Sequence, residues 1–186
     1  TKEAFENAIT VVMALGGSTN AVLHLLSLAH EADIALSLED FNRIAKKVPL
    51  IGNFSPFGTY MMEHLDMIGG VPMVIRMLLD AGLIHGKCLT VTGKTIAENV
   101  KNAPKRQESQ NIIYSLEHPF APPMRHIIIL HGNLAPDGAV LKLSGKELDH
   151  HTGLARVFER EEDALEAILS GKIKKGDCIV IRFDGP

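Results

Sequence analysis

A glycine pair followed by three small polar residues is the segment whose residue types most directly suggest binding chemistry. It reads Gly16-Gly17-Ser18-Thr19-Asn20 and lies between two stretches with the apolar spacing of helices. Glycines let a backbone approach a bound molecule closely, and the free N–H groups at a helix start attract an anion. A substrate carboxylate or phosphate could therefore bind to Ser18, Thr19 and Asn20. A double-glycine helix end followed by an ordinary cap needs no ligand, and the spacing alone leaves both interpretations open.

A second polar segment, Gly132 to Val140, reads Gly-Asn-Leu-Ala-Pro-Asp-Gly-Ala-Val. It stands between two strand-like runs, 127–130 and 139–143. Simple hairpins use loops of about two to five residues, and this connection is longer and contains a stiff Pro-Asp-Gly turn. We therefore interpret it as a functional edge rather than a simple hairpin.

Two other loops carry suggestive residues in weaker patterns. Gly93-Lys94-Thr95 resembles the end of a phosphate-binding loop, but that loop needs a glycine at the position of Cys88. The sequence therefore argues against nucleotide binding there. The loop at 53–58 carries two phenylalanines beside Pro and Gly, which fits a lid or subunit contact as well as a packed surface loop.

The histidines do not form a metal-binding pattern. His150 and His151 are adjacent, so they cannot both face one ion from a regular helix or strand, and no His-Glu-x-x-His motif occurs. The histidines therefore give no metal-binding motif. His24 lies one helical turn after Asn20 and could face the same cleft, or it could be an ordinary surface histidine.

Composition and cysteine usage limit the partners and the compartment. The net charge of -3 gives no reason to expect a nucleic acid or an anionic membrane as partner, and no apolar run is long enough to cross a bilayer. Cys88 and Cys178 stand far apart in apolar, strand-like runs, which is typical of buried small hydrophobic residues and not of a disulfide. A reducing compartment is expected, namely the cytoplasm, or an organelle stroma or matrix in a eukaryote.

The elements that must position these segments change in type along the chain. Apolar residues at helical spacing dominate up to Gly82. The predicted helices are 3–15, one that begins after 18–20 and ends near Glu31, one from the Ser37–Asp40 capping box to Lys47, 59–68, and one with Pro72 in its first turn that ends at Gly82. A strand at 88–92 and a short helix at 95–101 follow.

A polar stretch at 102–111 and the prolines of 117–125 predict the domain boundary. Beyond it come four strands, at 127–130, 139–143, 154–158 and 178–183, with one helix at 161–169. We therefore predict a helix-rich domain at 1–115, a linker at 116–125 and, at 126–186, a mostly β unit with one helix that forms a small barrel or sandwich. Both ends lie within ordered-looking sequence, so we expect an internal fragment of a longer chain.

Several segments together resemble one enzyme family, the dihydroxy-acid and 6-phosphogluconate dehydratases. Each segment alone is weakly specific, but all of them occur in the family's order. They are 14–25, 68–72, 89–95, 132–140, 155–159, 161–164, 176–177 and 180–182.

The resemblance implies a fold, cofactors and an activity. The fold is the end of an α/β N-terminal domain followed by a β-rich, swivelling C-terminal domain. The cofactors are an iron–sulfur cluster and a magnesium ion, and the assembly is a homodimer. The activity is that of a hydro-lyase that converts 2,3-dihydroxy acids into 2-keto acids in valine and isoleucine biosynthesis.

The family's metal ligands and its proposed catalytic serine lie in motifs that this chain does not contain, and Cys88 and Cys178 match none of the cluster cysteines. We therefore predict no catalytic and no metal-ligating residue in this chain, and we expect the fragment alone to be inactive. Two alternatives stay open. One is a dehydratase of 6-phosphogluconate or an aldonate, and the other is a non-catalytic binding or assembly module.

Overall fold

The computed structural model describes residues 1–143 and 150–185. The chain divides into two units, Thr1–Gly145 and Lys146–Pro186. The described part of the first unit contains α1 (Lys2–Leu15), α2 (Asn20–Glu31), α3 (Leu38–Ala45), α4 (Glu63–Asp66), α5 (Gly70–Asp80), α6 (Ile96–Val100), β1 (Ile127–Leu130) and β2 (Ala139–Lys142). The described part of the second contains β3 (Ala155–Phe158), α7 (Glu161–Leu169) and β4 (Cys178–Ile181).

Stop and capping residues set most boundaries of the helices, as predicted. Helix α1 ends at Gly16, whose φ of 80° is left-handed and suits a residue without a side chain. A capping box between Ser37 and Asp40 opens α3, and a second one between Thr95 and Glu98 opens α6. The Ser37–Asp40 box was predictable from the sequence because its two residues stand only three positions apart.

The strand predicted at 88–92 is wrong, because this segment forms a tight turn. The Thr90 N–H donates to the Lys94 carbonyl at 2.9 Å, and Gly93 has a φ of 75°. The Thr90 and Thr92 hydroxyls bond to each other and to the Asn99 side chain. Hydrogen bonds within the segment and to Asn99 thus take the place of the backbone bonds that a neighbouring strand would make.

The helix predicted at 59–68 is shorter, because only Glu63–Asp66 is helical. The backbone of Tyr60 is bonded across the preceding loop instead. Its N–H donates to the Asn53 carbonyl, and its carbonyl accepts from the Ser55 N–H. Tyr60 therefore cannot contribute its groups to a helical ladder.

The core of the first unit lies between α1, α3, α5 and the β1–β2 pair. Its fully buried side chains come from all of these helices and from the irregular segments between them; the largest are Phe41, Ile9, Ile51, Met73, Leu78, Ile113 and Ile127. Strands β1 and β2 pair antiparallel, with Ile129 opposite Val140, and the loop at 131–138 joins them. Strand β1 packs on α3.

Two asparagine side chains each pair with both polar groups of a distant peptide backbone. The Asn42 amide donates to the Ile129 carbonyl at 3.0 Å and accepts from the Ile129 N–H at 2.9 Å. The Asn7 amide does the same with His85, at 3.1 Å and 2.7 Å. These two amide pairs attach β1 to α3 and the segment after α5 to α1.

In the second unit, β3 and β4 are parallel and are joined through α7. Parallel neighbours need such a crossover, commonly a helix. Acidic residues in the first turn of α7 suit the positive end of the helix dipole, as predicted. Hydrophobic side chains of both strands, including Val157, Ile179 and Ile181, are exposed.

The mixed helix and strand content agrees with the predicted α/β class. The described strands form two sheets of two strands each, which does not establish a barrel. The domain bounds 1–115 and 126–186 also stay a prediction, and the end of the second at Pro186 lies outside the described residues. No helix in the described ranges has the length and apolar character to cross a membrane.

A buried carboxylate connects the starts of α1 and α3. Asp40 is 7% exposed and accepts from the Ser37 N–H at 3.0 Å and from Arg43 at 2.8 Å, while Lys2 lies 3.1 Å away. Burial raises the pKa of this carboxyl, but the hydrogen bonds and the Lys2 charge outweigh burial and lower the pKa from 3.8 to about 2.

Replacing Asn42 by Ala should lower the free energy of unfolding by about 2 kcal/mol, because it leaves the buried Ile129 N–H and carbonyl without their side-chain partners. Urea unfolding measures the change. The matched control is Asn102→Ala, at an exposed position, which should stay within about 0.5 kcal/mol of wild type. Equal stability of the two variants would contradict the structural role of the Asn42 pair.

The lowered pKa of Asp40 makes stability depend on acid. Its contribution is complete above the unfolded pKa of 3.8 and is lost as the pH falls through the folded pKa of about 2. Between about pH 5 and about pH 2, the free energy of unfolding of wild type should therefore fall by about 1–2 kcal/mol more than that of Asp40→Asn. The difference stays this small because Lys2 and Arg43, the partners of Asp40, are half-exposed and solvent screens their charges. Parallel urea curves at both pH values test this, and an identical loss in both proteins would refute it.

Candidate functional site

The predicted Gly16–Asn20 segment forms the connection between α1 and α2. The N–H groups of Gly16 and Gly17 both donate to the Val12 carbonyl, which ends α1. A Cβ atom on Gly17 would lie 2.9 Å from Val12 Cγ1, too close without a shift. The first glycine thus provides the left-handed turn and the second permits close packing against α1.

The structure brings Ser18, Thr19 and Asn20 together at the start of α2. Ser18 and Asn20 are exposed, and Thr19 is half-buried. The Ser18 hydroxyl accepts from the Asn20 N–H at 3.2 Å, whereas Thr19 makes no side-chain cap bond. Within residues 1–143 and 150–185, the N–H groups of Ser18 and Thr19 have no acceptor. The ordinary-cap interpretation therefore accounts for only one of these three N–H groups.

The electrostatics of this helix start favour an anion. Helix α2 has 12 residues, and no acidic residue lies in its first turn to compete for the free N–H groups. Aligned peptide dipoles place a partial positive charge at such a start. His24 is exposed one turn further along α2, on the same side as Asn20.

A residue that the sequence analysis missed, His126, lies beneath this segment. It is 4% exposed, and its Nε2 bonds to the Gly17 carbonyl at 2.8 Å. The Phe57 ring contacts the imidazole edge-on, with 5.4 Å between ring centres, and the Lys142 ammonium lies 4.9 Å from the centre of the Phe57 ring. The sequence offered one indication of this role, which is that a polar residue stands directly before the apolar run of β1.

The hydrogen bond to Gly17 sets the tautomer of His126. A carbonyl only accepts, so Nε2 carries the hydrogen and the neutral ring leaves a lone pair on Nδ1. Nδ1 is buried and has no partner among the described residues. Burial lowers the pKa of His126 below 6.5; the bond to Gly17 opposes this effect, and the positive charge of Lys142 adds to it. His126 therefore donates as a neutral ring at neutral pH.

The second predicted segment, 132–140, is held against α3. His131 bonds to Glu39 at 2.8 Å and to the Pro136 carbonyl at 3.3 Å, and the bond to Glu39 raises the pKa of His131. Leu134 at the loop tip is 89% exposed. The structure gives this loop a hydrogen-bonded base and an exposed apolar tip.

No three His, Cys, Asp or Glu side chains of the described ranges come together in an arrangement that could hold a metal ion. Cys88 and Cys178 are free, and both are half-buried rather than buried as predicted. They also belong to different units. An iron–sulfur cluster needs several thiolates, so the residues present here do not fit one.

A cleft in the first unit lies away from the α2 start. It measures about 830 Å³ and is lined by the beginning of α1 and by residues 85–89, including Cys88. Its lining residues belong to neither predicted segment. The α2 start lies at the surface instead, since Ser18 and Asn20 are exposed.

Two family models match consecutive parts of the chain. The N-terminal model of the dihydroxy-acid/6-phosphogluconate dehydratases matches residues 1–99, and the C-terminal model matches residues 111–186. Similar proteins include the dihydroxy-acid dehydratases of Arthrobacter sp. (strain FB24), 55% identical, and Mycobacterium leprae (strain TN), 57% identical. A third, from Methylococcus capsulatus, is 56% identical. Each match covers all of this chain but only 32% or 33% of the relative, so the chain spans about a third of their length.

The lowered pKa of His126 predicts a second acid effect on stability. As the pH falls below 6.5, the unfolded chain takes up a proton that the buried ring resists, so wild type loses stability relative to His126→Gln, which cannot titrate. Above pH 6.5 the difference between the two proteins should be constant. Urea unfolding at about pH 7.5 and about pH 5.5 tests this, and parallel losses in both proteins would contradict it.

Proposed function

The chain belongs to the dihydroxy-acid/6-phosphogluconate dehydratase family, and from this membership we propose that the full-length protein containing it is a hydro-lyase acting on 2,3-dihydroxy carboxylic acids. The observation that carries the proposal is the identity to dihydroxy-acid dehydratases along the whole chain. In such a reaction the acid loses the proton on C2 and the hydroxyl on C3 as water. The resulting enol then becomes a 2-keto acid of the kind used in valine and isoleucine biosynthesis.

We propose that Ser18, Thr19 and Asn20 bind the carboxylate of this substrate. The free N–H groups of Ser18 and Thr19, the exposed side chains and the helix start without acidic residues all support this role. A carboxylate held there fixes one end of a short dihydroxy acid. Fixing that end orients C2 and C3 relative to the groups that carry out the elimination.

The metal chemistry belongs to other parts of the full-length protein. We infer that the iron–sulfur cluster and the magnesium ion implied by the family are held by residues outside this chain, since the described residues offer no matching donor set. We further propose a cytoplasmic homodimer with a small-molecule substrate. Its domains would be 1–115, joined through 116–125 to a swivelling, barrel-like domain that begins at 126.

A sugar acid is the second candidate substrate, because the family also includes 6-phosphogluconate dehydratases. A phosphate favours nearby Arg or Lys side chains, and none occurs between residues 16 and 25. The segment therefore suits a single carboxylate better. A competition assay distinguishes these substrates: the full-length protein is given 2,3-dihydroxyisovalerate, 6-phosphogluconate and an aldonate together, and the turnover of each is measured.

In the full-length protein, Asn20→Ala should raise the KM for 2,3-dihydroxyisovalerate by about tenfold, because one group that contacts the carboxylate is lost. Steady-state kinetics measure this, with Asn102→Ala as the matched control. Wild-type values of both KM and kcat would remove the α2 start from the substrate site.

Iron and sulfide analysis of the same preparation tests the reaction class, and an iron-free, inactive protein after anaerobic purification would favour a non-catalytic module.

A further inference from the structure

We propose that His126 is a positioning residue for the substrate site, which it serves by holding the Gly17–Ser18 peptide in one orientation. This inference rests on the proposed role of the α2 start. It assigns a function to a buried polar side chain outside the Gly16–Asn20 segment, contributed by the residue that directly precedes β1.

The geometry of one peptide group connects His126 to the site. The Gly17–Ser18 bond is trans, so the Gly17 carbonyl and the Ser18 N–H point in opposite directions. The carbonyl accepts from His126 Nε2 at 2.8 Å. The Ser18 N–H therefore points away from the buried imidazole, and it has no acceptor within the described ranges.

Without His126 this peptide would have little to fix it. The Gly17 carbonyl accepts from no other described group. The N–H groups of both glycines are used at the end of α1, but the peptide that follows Gly17 lies outside the ladders of α1 and α2. A glycine offers little steric resistance to a peptide flip, and a flip would turn the Ser18 N–H away from the substrate.

The imidazole itself is held in place by its surroundings. It is 4% exposed, and the Phe57 ring contacts it in a T-shaped arrangement. The ring is buried and donates through one nitrogen only. A buried side chain with a fixed ring can set the direction of a hydrogen bond more closely than a flexible surface residue can.

The test compares substitutions at 126 in the full-length protein. His126→Gln keeps an N–H donor at about the reach of Nε2, His126→Leu removes the donor, and His126→Asn keeps a polar amide that is one methylene too short. We expect Leu and Asn to raise the KM for 2,3-dihydroxyisovalerate about five- to tenfold with kcat within about twofold of wild type, and Gln to stay within about twofold in both. His30→Leu, at an exposed position on α2, is the matched control.

The outcomes separate this proposal from the one beneath it. If Asn20→Ala raises KM but His126→Leu and His126→Asn do not, the positioning role is overturned while the substrate site stands. If none of the three changes KM, both fail. If His126→Gln raises KM as much as His126→Leu does, His126 is only structural. The same conclusion follows if the variants lower kcat alone, in proportion to their fall in Tm. Should the Leu variant not fold, the contrast between Asn and Gln decides alone.

Discussion

The first unit depends on side chains that satisfy the backbone of segments without regular structure. More than half of the residues between α5 and β1 lie outside helices and strands, and their N–H and carbonyl groups must still be paired where they are buried. Amide side chains provide this pairing. Asn7 and Asn42 each bond to both the N–H and the carbonyl of one distant residue, and Gln110 accepts from the N–H groups of Ile112 and Ile113. Segments without regular structure can therefore be buried in the core beside the helices and β1, because their backbone groups are hydrogen-bonded.

The candidate site is built from the same kind of interaction. Helix packing places α2 beside α1, but it does not determine the orientation of the peptide that joins the glycine pair to Ser18. A bond from His126 across 109 positions of the chain does so. The exposed polar groups at the start of α2 and the buried imidazole of His126 beneath them thus belong to the same proposed site.

Local signals made most of the elements predictable, since helix stops, capping boxes and β-branched runs act within a few residues. The bounds of α1, α5, α7 and all four strands follow from them closely. The failures at 88–92 and 59–68 occurred where side-chain or loop bonds outcompete the local preference. Ser18, Thr19 and Asn20 were found from the sequence because they are adjacent. His126 was not, because its role depends on a contact that only the fold creates.

The β3–α7–β4 unit has a consequence for handling the protein. Each of its two parallel strands has one neighbour in the described part of the chain, so each also has an outer edge with unpaired backbone groups. Exposed Val157 and Ile179 lie on those same strands. Open edges with apolar side chains are templates for pairing between molecules. Recombinant production of residues 150–185 by themselves would therefore invite aggregation, which a fusion partner or co-expression with the remaining polypeptide would counter.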